Sequence, residues 1–123
     1  MTKDKAFYSW LQGFEIPFYP ASSVPDDVIF PYGTYELVTG AWGDGPIPIT
    51  LKLWYYTTSE AAPNAKVQEI SDAIGLGGTM LFYDSGAAII RRGVPFCQSF
   101  KDEVDFMIKL RYININVEYF SPN

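Results

Sequence analysis

The sequence contains no histidine, so the commonest general base and the commonest transition-metal ligand are both missing. Ser-His-Asp catalysis, Cys-His catalysis and His-metal sites are therefore excluded. Cysteine is nearly as scarce, because Cys97 stands alone and cannot form an internal disulfide. It lies in an apolar, strand-like stretch, GVPFCQSF, which favours a buried and unreactive thiol.

Long apolar runs are also missing, and the longest falls far below the roughly 20 residues that cross a bilayer. The opening stretch, MTKDKAFYSWLQGFEIP, lacks the apolar region and cleavage site of a signal peptide, so we expect synthesis in the cytoplasm. Hydrophobic residues make up 48% of the 123 residues, enough for one core. We therefore predict a single domain over 1–123.

Positive charge is absent from most of the first third of the chain. No Lys or Arg lies between Ala6 and Leu51, and outside this segment acids and bases balance, so the whole net charge of −5 arises here. Such a segment disfavours gripping nucleic acid, and it suits a surface that must not adhere to DNA or one that meets a basic partner. Its acids are Glu15, Asp26, Asp27, Glu36 and Asp44.

Helical periodicity occurs twice. Aromatic and leucine residues recur at helical spacing over 4–13, which predicts a short N-terminal helix. A longer amphipathic helix is predicted over 59–75, with Ser59 as cap and Gly75 as the end. Between 14 and 31 four prolines predict a loop of about 15 residues that is too apolar for a free linker. The buried stripe of the longer helix would be Val67, Ile70 and Ile74.

Strand patterns fill most of the remainder. We predict strands over 32–39, 47–58, 79–83, from 87 through VPFCQSF, and 106–120. GAWGDGP is predicted to be a glycine-rich hairpin turn or a longer finger, and DSG a hairpin turn. The alternation of the last segment changes phase, which predicts a β-bulge near Tyr112–Ile113. The predicted fold is α+β, in the order α-β-β-α-β-β-β. About five mostly antiparallel strands are packed by one main helix.

Motifs for chemistry are weak. The glycines of GLGGTM follow a helix, whereas a phosphate loop precedes one. Asp26 with Asp27, and the acids of KDEVD, lack the spacing of a calcium loop and are interpreted as solvated turn acids. We predict no catalytic residue, no metal site and no cofactor.

Two further features indicate contact surfaces. Arg91 and Arg92 are adjacent in a strand and point to opposite faces, so they cannot form one flat basic patch. Two interpretations stay open: one arginine lies in an interface salt bridge with the acidic segment and the other in solvent, or the pair is plain surface. The chain has nine Phe, nine Tyr and three Trp, more than a small core easily buries. This surplus favours an oligomer or a docking surface.

Several segments carry a resemblance to a known family. FYSWLQGFEIPFYPASSVPDDVIFPYGTYEL, ITLKLWYYTTSE, GGTMLFYDSGAAIIRRGVPFCQ and RYININVEYF resemble small neck and tail-joining proteins of long-tailed phages and prophages of Gram-positive bacteria, closest to the tail terminators. The resemblance implies a virion protein that forms a hexameric ring, ends growth of the tail tube and presents a surface to the head. Its implied partners are the tail tube protein and a neck or stopper protein, with DNA passing through unbound.

Two alternatives stay open: a head-completion or stopper protein of the same assembly, and a small-molecule-binding or carboxylate-dependent enzyme domain. The hypothesis of a ring assigns subunit or partner contacts to Asp26, Asp27, Pro31, Tyr32, Trp42, Asp44, Arg91 and Arg92. It assigns the lining of the DNA channel to Asp26, Asp27, Glu36 and Asp44.

Overall fold

A computed structural model of the chain describes residues 1–122. Within them lie the helices α1 (Lys3–Gln12) and α2 (Ala61–Ile74) and a 3-10 turn (Ala21–Ser23). Both helices begin and end within two residues of the predicted bounds. The strands are β1 (Phe18–Pro20), β2 (Tyr32–Tyr35), β3 (Ile47–Tyr56), β4 (Thr79–Tyr83), β5 (Gly86–Lys101) and β6 (Ile108–Phe120).

The strands of the described residues form one sheet in the order β1-β2-β3-β6-β5-β4. The predicted α+β class is confirmed, but the predicted number of strands was wrong, because the sheet has six. The sheet is also mixed: β1 runs parallel to β2, and the other neighbours are antiparallel. The extra strand is β1, which lies inside the proline-rich segment that we predicted to be a loop.

Gly33 makes room for β1. A Cβ atom at Gly33 would lie 2.2 Å from the ring of Phe18, which is 1% exposed. The backbone N–H of Gly33 also donates to the carbonyl oxygen of Pro17 at 2.8 Å. The absent side chain thus lets the Phe18 ring lie directly on β2 and fixes the short strand there.

One face of the sheet carries the core. Along β3 the predicted alternation is confirmed, with Ile49, Leu51 and Leu53 buried and paired opposite the buried residues of β6. Side chains of α1 and α2 join these residues in a single cluster. Within residues 1–122 no helix covers the other face, which we call the open face.

The predicted bulge near Tyr112–Ile113 was wrong. Strand β6 alternates without a break from Ile108 to Phe120, and its pairing with β3 has no register shift. The apparent phase change arises because Lys109 and Arg111 point into the core face and are 8% and 2% exposed. Charged residues on a strand are usually solvent-facing, so the pattern was interpreted with the wrong face inward.

The irregularity lies instead in β5, between Arg92 and Cys97. Arg92 pairs with Ile115 and Cys97 with Ile113, so residues 93–96 bulge out of the ladder. Both Arg92 and Cys97 consequently lie on the helix-covered face. Burial raises the pKa of the Cys97 thiol, with Arg111 opposing, which agrees with an unreactive thiol.

Strand β2 ends at Tyr35, four residues earlier than predicted, and the chain leaves the sheet over 36–46. Contacts from distant elements hold this connection. The Tyr119 hydroxyl donates to the carbonyl oxygen of Val38 at 2.9 Å, and Lys3 Nζ donates to that of Gly40 at 2.6 Å. The segment GAWGDGP is therefore the end of a longer connection, which agrees with the longer of the two predicted forms and not with a hairpin turn.

The anchoring tyrosine gives a test at alkaline pH. Burial, with Tyr83 nearby, raises the pKa of Tyr119 to about 12 from 10.0, so the folded state holds a proton that the unfolded chain loses. The contribution of Tyr119 to stability is complete below pH 10 and is lost as the pH rises toward 12. We expect the free energy of unfolding to fall there by up to about 1.4 kcal/mol per pH unit from this group.

The measurement is urea unfolding at several pH values from 9 to 11.5. Tyr119→Phe is the matched variant, because it removes the titrating group and keeps the ring. Burial also raises the pKa of Tyr35 and Tyr55, so both proteins will lose stability, and Tyr119→Phe should lose it less steeply. Equal slopes for the two proteins would show that Tyr119 does not contribute.

Candidate functional site

The open face begins with an aromatic row at one end of the sheet. Tyr32, Trp54, Leu110 and Phe100 lie side by side in register across β2, β3, β6 and β5. The rings of Tyr32 and Trp54 stack at 5.8 Å and 5°. Next to them Tyr112 contacts Phe100 at 4.7 Å between ring centroids. This end of the face therefore presents flat, partly exposed rings.

Polar side chains occupy the middle of the open face. Thr50 donates a hydrogen bond to Asn114 at 3.0 Å across β3 and β6. Arg91 forms an ion pair with Glu118 at 3.3 Å. These pairs are exposed or half-buried, so water reaches them and each contributes little to the stability of the fold.

The far end of the open face is apolar. Phe82 of β4 is 73% exposed, and its register neighbour across β5 is Phe120. Trp42, from the 36–46 connection, rests edge-on against Phe120 at 5.7 Å and is 71% exposed. We call Trp42, Met80, Phe82 and Phe120 the far-end patch.

A cavity of about 410 Å³ opens where β2 ends beside β3. Tyr35 pairs with Leu51, and beyond this pair the first four residues of β3 have a strand neighbour only on the β6 side. The cavity, which we call the edge notch, is lined among others by Thr34, Glu36, Val38, Pro48, Thr50 and Lys52. It therefore combines an unpaired strand edge with one acidic and one basic side chain.

The predicted contact residues of the proline-rich segment lie together at one border of the open face. Asp26 and Asp27 are exposed in the loop before β2, and the following Phe30 packs on Tyr32 and Tyr56. Pro31 is half-buried, whereas Tyr32 is buried beneath its neighbours. Tyr32 thus supports the border and offers little surface to a partner.

The remaining predicted acids are not part of that border. Glu36 is exposed beside the edge notch. Asp44 is exposed near the far-end patch, where its carboxylate accepts the backbone N–H of Ala41 at 2.8 Å. The four acids assigned to a DNA channel therefore lie at three separate places on the surface of one chain.

Arg91 and Arg92 point to opposite faces, as predicted. Arg91 is half-exposed on the open face and pairs with Glu118, not with the acidic segment. Arg92 lies on the covered face, where it donates to the hydroxyl of Ser71 in α2 at 2.9 Å. Within the described chain neither arginine contacts Asp26, Asp27, Glu36 or Asp44, so the expected pairing is not made inside one subunit.

No family model, curated protein or solved structure matches the chain.

A buried cation pair escaped sequence reasoning. Arg111 donates to Glu60 at 2.6 Å and to Asn64 at 2.9 Å, both at the start of α2. Lys109 lies 3.9 Å from the same Glu60 carboxylate and donates to the carbonyl oxygen of Phe106. A single half-exposed carboxylate thus serves two buried cations, and this cluster ties α2 to β6.

Lys52 was also missed as a contact residue. Its ammonium lies 5.0 Å from the ring centroid of Tyr112, on the open face and beside the edge notch. The available signal was its position: Lys52 is the first basic residue after Lys5 and lies on the non-core face of an alternating strand. That face was interpreted only as the solvent side.

Two further findings concern the chemistry of the described residues. Over 1–122 neither helix is long and apolar enough to cross a membrane. The same residues bring no three Cys, Asp or Glu side chains together as a metal site would require. What the arrangement offers is contact: an aromatic row, an apolar far end and an acidic loop.

Proposed function

We propose that the chain is a structural virion protein, a tail terminator that forms a ring, caps the tail tube and joins the tail to the head–neck complex. It acts without catalysis or a cofactor. The observation that supports this proposal is the presence of large apolar side chains, strongly exposed, at several separated parts of one small subunit. The resemblance of the quoted segments to tail-joining proteins supports the same assignment.

These exposed residues lie at opposite ends of the sheet. At the β5–β6 connection Val104 is 95% exposed and Phe106 is 66% exposed. The far-end patch lies at the other end of β6, about 40 Å away at the usual rise of a strand. A subunit of a closed ring needs different patches for its two neighbours, and a terminator needs further patches for the tube and the neck.

The charge distribution is compatible with a position on the DNA path. Asp26, Asp27, Glu36 and Asp44 are all exposed, and we propose that those of them that form no ion pair with a neighbouring subunit line the channel and repel phosphates. A structure of the ring that places these acids on its outer wall would contradict this part of the proposal.

The function is tested by assembly. Light scattering after size exclusion and negative-stain imaging should show a ring, and the purified ring should bind the ends of isolated tail tubes. Binding to head portals with no binding to tails would indicate the stopper position. A monomer that binds neither and instead takes up a metabolite would overturn the proposal.

A further inference from the structure

The edge notch exposes part of a strand that lacks a neighbour. In antiparallel pairs, successive residues direct their N–H and C=O groups to alternate sides, and Lys52 faces its partner Thr34, so of the first four residues of β3 Pro48 and Thr50 face the cavity. Pro48 has no N–H, so the free edge offers the N–H of Thr50 and two carbonyl oxygens to a segment of another chain. The notch volume of about 410 Å³ leaves space for such a segment.

The notch also carries a cation that forms no ion pair among the described residues. Lys52 is half-buried against Tyr112, and among residues 1–122 no carboxylate lies within 4.0 Å of its ammonium. Glu36 lines the same cavity without pairing to it. An incoming carboxylate would therefore gain the ammonium of Lys52 as a partner at no loss of an existing ion pair, with repulsion by Glu36 as the cost.

An exposed loop of the same chain has the complementary properties. We call residues 25–29, with the sequence PDDVI, the acidic arm; it contains a turn in which the N–H of Val28 donates to the carbonyl oxygen of Pro25 at 3.2 Å, and it carries Asp26 and Asp27 in solvent. Ile29 is 79% exposed. The arm is followed by Phe30, which contacts Tyr56, four residues and about 13 Å along β3 from Lys52. Within one chain, the described residues therefore form no ion pair between the acidic arm and Lys52.

We propose that the edge notch of one subunit receives the acidic arm of a second copy, with Asp26 and Asp27 against Lys52 and the turn of the arm beside Thr50 at the free edge of β3. The contact joins two different patches, so it is heterologous and repeats around a ring. A five-residue arm supplies only part of the roughly 800 Å² per partner of a standard interface, and the adjoining aromatic row supplies more. The inference rests on the proposed function in that it assumes a ring.

Charge reversal tests the contact. Sedimentation velocity of the wild type, Asp26→Lys/Asp27→Lys and Lys52→Glu should show an oligomer for the first and a shift of at least tenfold in the assembling concentration for each variant. Combining all three substitutions in one chain restores opposite charges at the contact and should restore assembly. The matched control for the aspartate variant is Glu15→Lys/Asp72→Lys, which makes the same charge change at exposed acids elsewhere and should assemble as the wild type does.

The contact is overturned if both reversal variants assemble normally, if the control fails equally, or if the wild type is a monomer. It is also overturned if the triple variant, folded by circular dichroism, stays dissociated. Binding to tail tubes is scored separately. A ring that forms independently of Lys52 and still caps tubes would preserve the proposed function and reject this contact. A ring that depends on Lys52 and never binds tubes would support this contact and reject the proposed function.

Discussion

Replacing Glu60 with alanine is expected to lower the free energy of unfolding by about 2–3 kcal/mol. Its carboxylate is the anionic partner of Arg111 at 2.6 Å and lies 3.9 Å from Lys109, and both cations are buried. Removing one partner of a buried pair costs about 3–5 kcal/mol because the other charge remains in a poor solvent. We expect a loss at or just below the lower end of that range because Glu60 itself is 52% exposed, so its ion pair with Arg111 is only partly shielded from water.

Arg111 is buried and Glu60 is half-exposed, so the substitution of each partner should have a different cost. Arg111→Met should cost only about 1 kcal/mol, because the freed Glu60 carboxylate can be hydrated where it lies and the methionine fills much of the same volume. Glu69→Ala is the matched control: it removes a half-exposed carboxylate from the ion pair with Lys66 at 2.9 Å on the same helix. That change should cost less than about 0.5 kcal/mol.

The three variants are compared by urea unfolding at one protein concentration and one oligomeric state, since association adds to apparent stability. Glu60→Ala should be the most destabilising of the three. If Arg111→Met costs as much as Glu60→Ala, the packing of the arginine, and not the compensation of its charge, holds α2 to β6.

The second large effect is expected at Gly33. Gly33→Val should destabilise the fold by about 3 kcal/mol, because side-chain atoms there would occupy the space of the buried Phe18 ring. The loss should be local at first: β1 separates from β2, and the acidic arm that follows it loses its support. Faster hydrogen exchange over 18–35 than over β6, together with a lower unfolding midpoint, is the measurement.

Gly77→Val is the control, because nothing lies within 4 Å of a Cβ atom at Gly77 and its φ is not positive. It should change stability by less than about 1 kcal/mol. A Gly33→Val protein with normal stability and normal exchange over 18–35 would show that the ring of Phe18 has another place to pack.

The sequence predicted those elements whose local pattern agrees with their final environment. Helix α2 has one apolar stripe and a clear end at Gly75, and β3 alternates strictly, so both were found. Strand β1 was missed because three residues between prolines carry no periodicity; it exists only through the contact of Phe18 with Gly33. Long-range packing of this kind leaves no local signal.

The candidate site was predicted unevenly for a similar reason. Exposed loop residues such as Asp26 and Trp42 were identifiable from composition, and the structure does place them at the surface. The edge notch could not be identified from the sequence, because it arises from the unequal lengths of β2 and β3. The buried Arg111 was missed because its partners lie 51 and 47 residues away in the chain.

The bulge in β5 bears on how the chain tolerates insertions and deletions. Elsewhere in a paired strand, one added residue inverts the two faces for every residue beyond it. Residues 93–96 lie outside the ladder, but Gly93 is buried against Asn114, the carbonyl oxygen of Pro95 accepts from Asn114 at 2.8 Å, and Phe96 packs on the core. Val94 is 97% exposed, so a residue added there extends the bulge and each half of β5 keeps its pairing with β6. Length variation in this strand should therefore centre on Val94, which makes it the natural place to insert a short epitope or label.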